Sequence, residues 1–141
     1  MPDYTSTWAR RSGPLSMQRA GITHDDLDLT MIYDSFTYTV MVTLESMGFC
    51  PPGEAADFVA NQRTAPGGDF SLNTSGGGLS YTHPGMYGSF LLVEAVRQLR
   101  GEAGDRQVKS KRDPSQNAKI SVVNGTGGSL SSTGTVVLAT D

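Results

Sequence analysis

A layered α/β unit is the fold class this sequence predicts: a βαβαβ-type mixed sheet with helices packed on it. Segments of helical and strand period alternate in the order helix, strand, helix, short strand, long apolar helix, two strands. Two β-branched runs near the end, Lys119-Ile-Ser-Val-Val123 and Thr133-Gly-Thr-Val-Val-Leu138, read as an antiparallel pair. A length of 141 residues suits a single domain with one core. Within it, residues 12–100 form the helix and strand core, 101–118 a charged loop and 119–141 the terminal strand pair.

The first helix is expected to start at Ser12 and Pro14 and to stop at Gly21. The segment from Tyr4 to Arg11, with Trp8, carries no clear signal. His24, among turn residues, reads as a surface side chain. The stretch Leu27-Asp-Leu-Thr-Met-Ile-Tyr33 alternates and then thickens, as a strand does that starts near a sheet edge and ends buried. Asp34-Ser35 offers cap chemistry to a helix whose stripe is Phe36, Val40, Leu44 and Met47, and Gly48 ends it. A short helix is expected over 54–61 and a short strand over Phe70-Ser-Leu-Asn73. From about Gly85 to Leu99 the pattern is apolar almost all round, which predicts a buried helix. The charged stretch from Gly101 to Asn117, with Lys109, Lys111 and Arg112, reads as a solvated loop; a phosphate-binding role for it is the lesser alternative.

Composition narrows the function classes. A net charge of −3 gives no reason to expect nucleic acid. No apolar run is long enough to span a bilayer, and Met1-Pro-Asp-Tyr lacks the regions of a signal peptide. A single cysteine, Cys50, rules out an internal disulfide framework and suits the cytoplasm. It reads as a small buried hydrophobe. Two distant histidines beside one remote cysteine give no metal-ligand spacing, so no metal is expected.

The stretch Asn73-Thr-Ser-Gly-Gly-Gly-Leu-Ser-Tyr-Thr-His-Pro-Gly-Met-Tyr-Gly88 carries the main functional signal. Gly76, Gly77 and Gly78 remove three β-carbons in a row, so backbone can approach a ligand or another backbone closely. His83 is expected where a helix begins, with Pro84 near its first position. A helix N-terminus there would suit an oxyanion or an enolate oxygen. Asn124-Gly-Thr-Gly-Gly128 reads as a second glycine loop.

Three stretches taken together, Tyr33-Asp-Ser-Phe36, Asn73 to Gly88 with its His83-Pro84, and Asn124 to Gly128, resemble the C-terminal half of thiolases. The likeness is closer to the sterol-carrier and lipid-transfer branch, in which a Gly-Phe-Cys-Pro-x-Gly-Glu segment resembles Gly48 to Glu54. It extends from about Ser12 onward. The resemblance implies a nucleophilic cysteine in an N-terminal half not represented here. It also implies an acid/base cysteine in the last glycine loop, at the position of Asn124 when the paired glycines are aligned. Asparagine exchanges no proton near neutral pH, so Claisen chemistry lacks its thiols.

Tyr33, Tyr38, Tyr81 and Tyr87 accompany His83. The tyrosine-rich pattern resembles a cysteine-less branch that cleaves β-hydroxyacyl-CoA esters by retro-aldol chemistry. That resemblance implies Tyr87 as first choice for acid/base, Tyr33 or Tyr38 as second, and His83 as donor to the thioester oxygen. Gly76, Gly77, Asn124, Gly127 and Gly128 would line the substrate or its oxyanion. The alternative for Tyr38, Tyr81 and Tyr87 is core packing with the hydroxyl satisfied. No cofactor is implied beyond the CoA thioester as substrate.

Competing functions are a non-catalytic lipid- or acyl-CoA-binding or structural subunit, and a fragment of an acetyl-CoA acetyltransferase. The expected partners are acyl-CoA and either a homo-oligomer or an N-terminal thiolase half, because an apolar helix over 85–99 demands cover. An OB-fold or hot-dog-fold partner protein is a further expectation from the resemblance.

Overall fold

Four consecutive buried residues, Leu29-Thr-Met-Ile32, form β1. A computed structural model describes residues 4–141, so the leader reading of Met1 to Asp3 lies outside the described residues. β1 pairs in parallel with β2 (Ile120–Gly127), Leu29 opposite Ser121, and β2 pairs antiparallel with β3 (Ser132–Ala139), Val122 opposite Val137. The remaining elements are α1 (Ala9–Ala20), α2 (Thr37–Met47), α3 (Ala55–Val59), α4 (Gly77–Ser80) and α5 (Gly88–Leu99). The sheet is mixed and carries helices on both faces. Leu27, Ile32 and Val122 pack with Met17 of α1 and Leu44 and Met47 of α2. Leu29, Met31 and Val123 pack with Leu91 and Ala95 of α5 and with Tyr87. β1 lies at the edge of the three-stranded sheet, as its sequence start predicts, yet helices on both faces and the Leu72 bridge along its free side keep it buried throughout.

The expected strand at Phe70–Asn73 contracts to a single parallel bridge between Thr30 and Leu72. Asn73 turns into the left-handed region at φ 46°. Its side-chain amide then does what a backbone peptide would have done: Ile32 N donates to Asn73 Oδ1 at 2.8 Å, and Asn73 Nδ2 donates to the Ile32 carbonyl at 2.8 Å.

α1 begins at Ala9, earlier than expected, and carries Pro14 inside it. The Thr7 hydroxyl accepts from Ala9 N at 3.0 Å and satisfies one of the open first-turn donors. Gly13 faces α2 so closely that a β-carbon there would meet Met47 Cγ at 3.1 Å. Gly21 and Gly48 end α1 and α2 in left-handed conformation, as their sequence positions predict. Phe36 falls before α2 begins and is exposed, so the α2 stripe reaches the core only through Val40, Leu44 and Met47.

Two expectations fail for reasons of packing. Asn124 to Gly127 are not a loop: they continue β2 because Thr133 and Thr135 of β3 pair with them, and the chain reverses instead at Gly128 to Ser131. α5 is not buried all round. Its inner face holds Leu91, Glu94, Ala95 and Gln98, while Phe90, Leu92, Val93 and Val96 are exposed, Val93 at 51%. The sheet of this chain covers one side of the helix only.

The charged stretch is anchored rather than loose. The buried Asp28 carboxylate accepts from Lys111 N at 2.6 Å and Lys119 N at 2.7 Å, pinning the second half of the stretch beside β1. Outside, Lys109 binds Asn117 and Arg112 pairs with Asp26. His24 is half-buried, not a free surface group: its Nε2 lies 2.9 Å from the Met47 carbonyl at the end of α2, and its ring meets Phe49 edge-on.

Candidate active site

The glycine run closes around a carboxylate. Gly76 and Gly77 take φ of 98° and 68°, and a β-carbon on Gly77 would lie 2.0 Å from Asp34 Oδ2. Asp34, buried just after β1, accepts from Gly78 N at 2.7 Å and Leu79 N at 3.2 Å. Asp34 therefore caps α4, not α2, and the space expected for an oxyanion beside Gly76 and Gly77 is filled by the protein's own anion.

α5 starts at Gly88, because Met86 sits at φ 60° and interrupts the approach. His83 thus lies in the open turn between α4 and α5, exposed, and not at a helix start. Tyr33, half-buried at the end of β1, is the hub. Its ring meets His83 at 6.3 Å and 73°, and Tyr87 at 5.7 Å and 88°. Tyr87 is completely buried and stacks on Phe90 at 5.6 Å. Burial pushes its phenol above the ordinary value, opposed by the nearby Ser75 hydroxyl, yet neither hydroxyl closes a hydrogen bond. A phenol so placed stays neutral near pH 7: it suits a proton donor, not a resident base. Tyr38 is exposed on the first turn of α2, and Tyr81 lies against Phe90; among the described residues no ring contact joins either to Tyr33 or His83.

The two faces of β2 divide the remaining candidates. Asn124 turns toward α1, where its Nδ2 donates to Thr133 Oγ1 at 2.8 Å and Thr135 Oγ1 at 2.7 Å, beside Ser12. It is on the opposite side of the sheet from Tyr87. Gly125 turns toward α5, and a β-carbon on Gly88 would come 3.9 Å from its Cα. A groove of about 450 Å³ opens there, lined by Tyr33, Met86, Gly88, Gly125 and Gly127 among others. Gly128 lies beyond it in the turn at φ 52°. The structure thus brings together Tyr33, His83, Tyr87 and Gly127, and it leaves Tyr38, Asn124 and Gly128 apart. Met86, Gly88 and Gly125 were missed. The period of two counted from Val123 would have placed Gly125 and Gly127 on one face.

Cys50 is buried, and burial raises its thiol above the ordinary value, away from nucleophilic use. Among the described residues no cluster of His, Cys, Asp or Glu suits a metal ion, and no helix is long and apolar enough to cross a membrane.

The chain is similar to known proteins across this whole arrangement. It matches the thiolase C-terminal domain-like family over residues 1–140. It is 44% identical over 85 residues to the 17-hydroxy-3-oxo-4-pregnene-20-carboxyl-CoA lyase of Mycobacterium tuberculosis, covering 59% of this chain and 21% of that protein. Against the steroid side-chain-cleaving aldolase of Thermomonospora curvata it is 38% identical over 111 residues, 77% of this chain and 26% of that one. Human sterol carrier protein 2 is 39% identical over 92 residues, covering 64% of this chain and 17% of its own length. A solved Ltp2-ChsH2(DUF35) aldolase superposes with a TM-score of 0.79 at 27% identity, over 99% of this chain and 34% of that one. The chain spans about a fifth and about a quarter of the first two of these proteins, so its likeness is to one portion of each. On the match across nearly its full length, the chain belongs to the thiolase C-terminal domain-like family.

Proposed function

We propose that this chain supplies the tyrosine and histidine side of a thiolase-like site that cleaves β-hydroxyacyl-CoA thioesters by retro-aldol chemistry. The observation that carries it is Tyr33, whose ring lines the glycine groove and touches both His83 and Tyr87. A base takes the proton of the β-hydroxyl, the Cα–Cβ bond breaks, a ketone leaves, and the thioester enolate takes a proton at carbon to give the shortened acyl-CoA. Burial of Tyr87 favours Tyr33 as the acid/base facing substrate, with His83 donating to the thioester oxygen and Tyr87 as a neutral phenol backing Tyr33. Gly125 leaves room where a side chain would intrude, which supports close approach of a substrate to β2 beside Tyr33. The names of two relatives support a steroid-derived acyl-CoA as the substrate class.

The outer face of α5 supports a partner. Phe90 and Val93 with Tyr81 and Met86, the last 84% exposed, form an apolar surface beside the groove. An N-terminal thiolase half is the partner we favour, since the relatives are several times longer. A second copy or an OB-fold or hot-dog-fold protein is the alternative. The same exposed face favours the second reading, a structural or lipid-binding subunit, when no partner restores turnover. A cytoplasmic setting is part of the proposal and rests on the lone free Cys50.

The test is to incubate the chain, alone and with a partner half, with β-hydroxyacyl-CoA and measure ketone and shortened acyl-CoA. Tyr33→Phe is expected to lower kcat by about 10²–10⁴-fold. His83→Ala is expected to lower it by about 10²–10³-fold. Turnover unchanged in both variants would remove the assignment, and binding without turnover in every mixture would favour the subunit reading.

A further inference from the structure

We propose that a partner polypeptide docks on this chain by laying an extended, uncharged strand into a second cleft, between the 64–76 stretch and residues 105–109. The cleft encloses about 1010 Å³ and shares no lining residue with the glycine groove. Its two walls each present an open piece of main chain. On one wall, Thr30 N donates to the Ser71 carbonyl at 2.9 Å and Asn73 N donates to the Thr30 carbonyl at 3.1 Å. That parallel bridge turns the N–H and C=O of Leu72 away from β1. On the other wall, Ser110 N donates to the Gln116 carbonyl at 3.1 Å and Ala118 N to the Val108 carbonyl at 3.0 Å. That antiparallel bridge turns the N–H and C=O of Lys109 away from Asn117. Among the described residues, the backbone groups of Leu72 and Lys109 have no hydrogen-bond partner. Both residues line the cleft, so two unpaired edges border one space.

An unpaired strand edge is a template for another strand. A peptide carries N–H and C=O groups along both of its sides, so it meets a donor and an acceptor on either wall. A carboxylate or a phosphate would satisfy the donors and repel the carbonyls. The lining suits main chain as well. Gly67, Gly68 and Gly76 leave room for a second backbone to come close, and Thr64, Ser71 and Thr74 are polar without charge. Most charged groups of the walls are already engaged. Asp34 is held by the amides of Gly78 and Leu79, Arg106 by Glu94 at 3.0 Å, Lys109 by Asn117 at 3.1 Å and Asp69 by Arg63 at 3.0 Å. A charged side chain on the incoming strand would lose hydration without gaining a counter-ion, and the exposed Asp105 disfavours an acidic one. The strand that fits is therefore uncharged. Main chain carries this docking, unlike the apolar cover of α5, and it does not depend on the retro-aldol reading.

The experiment is a titration of the isotope-labelled chain with an end-blocked peptide of alternating threonine and valine, about six residues long, followed by backbone amide NMR and hydrogen exchange. The expected result is saturable shifts at Ser71 to Thr74 and at Gln107 to Lys109. Exchange at the Leu72 and Lys109 amides, fast in the free chain, should slow by about tenfold or more at saturation. The same peptide N-methylated at alternate residues loses the donors of one edge and should bind about tenfold more weakly or worse. Thr64→Trp, which places a large ring on the cleft wall, should abolish binding, and Ser89→Trp, on the glycine groove, should leave it intact. The same shifts are expected in the chain carrying Phe90→Ser and Val93→Lys, which separates the cleft from the α5 face. Four results would each overturn the proposal: no saturable shift in the millimolar range, equal binding of the N-methylated peptide, shifts confined to α5 or the glycine groove, or slow exchange at Leu72 and Lys109 before any peptide is added, which would mean that a second copy already fills the cleft. None of these readouts involves turnover, so loss of the retro-aldol reading would leave the result standing.

Discussion

Gly77 shows how little freedom a single position can have here. Its φ of 68° disfavours a side chain, and any β-carbon would collide with the Asp34 carboxylate at 2.0 Å. Gly77→Ala is expected to cost about 3 kcal/mol or more, since strain and the loss of a buried hydrogen-bonded anion act together. Urea denaturation at neutral pH measures it. Glu94 is the second residue with a sharp consequence. Burial pushes its carboxyl up, but hydrogen bonds from Arg106, Gln98 and Thr74 outweigh that and hold it below the ordinary value of 4.5. A depressed folded value means the stabilisation is complete above the unfolded carboxyl range and is lost as pH falls through the folded value. Stability should therefore decline as pH drops below about 4.5, and Glu94→Gln should flatten part of that decline. Asp26 and Asp113, also depressed by hydrogen bonds, keep a residue of it in the variant. Thermal unfolding from pH 7 to pH 3 is the measurement. Asp34, by contrast, was legible only as a cap, because the sequence cannot show that Gly76 and Gly77 would turn left-handed and wrap it.

Elements were read best where a stop signal and a periodic stripe agreed, as at Gly21 and Gly48. They were read worst where glycine composition opposed pairing. Asn124 to Gly127 look like a loop by propensity, yet Thr133 and Thr135 hold them in the ladder, so tertiary pairing overrode local preference. That error also misplaced a site residue, since a strand sends Asn124 and Gly125 to opposite faces. The short strand at Phe70–Asn73 failed for a different reason: Asn73 replaces ladder peptides with its own amide. Asn73→Ala would leave the Ile32 N–H and carbonyl unpaired and is expected to cost about 2–4 kcal/mol. Amide hydrogen exchange at Ile32 should accelerate in that variant, while exchange at Val122, on the other side of β1, should change less.

At the scale of the whole molecule, the site is one-sided. Tyr33, His83 and the glycine groove lie beside an apolar face of α5 that none of the described residues covers. The purified chain is expected to self-associate with rising concentration, and Phe90→Ser with Val93→Lys should return it to monomer. Light scattering across a concentration series checks this; a wild-type chain that stays monomeric would count against the need for cover. The sequence did announce an apolar helix, but not which half of it the sheet would take, because an almost uniformly apolar pattern contains no directional information.

The clasp at Asp28 has a mechanical meaning. One carboxylate grips the amides of Lys111 and Lys119, at either end of a seven-residue detour that leads into β2. A break in the chain anywhere inside that detour would leave both new ends tethered to the same oxygen pair. The parallel registry of the central strands would then survive a cut that, on composition alone, ought to let them drift apart.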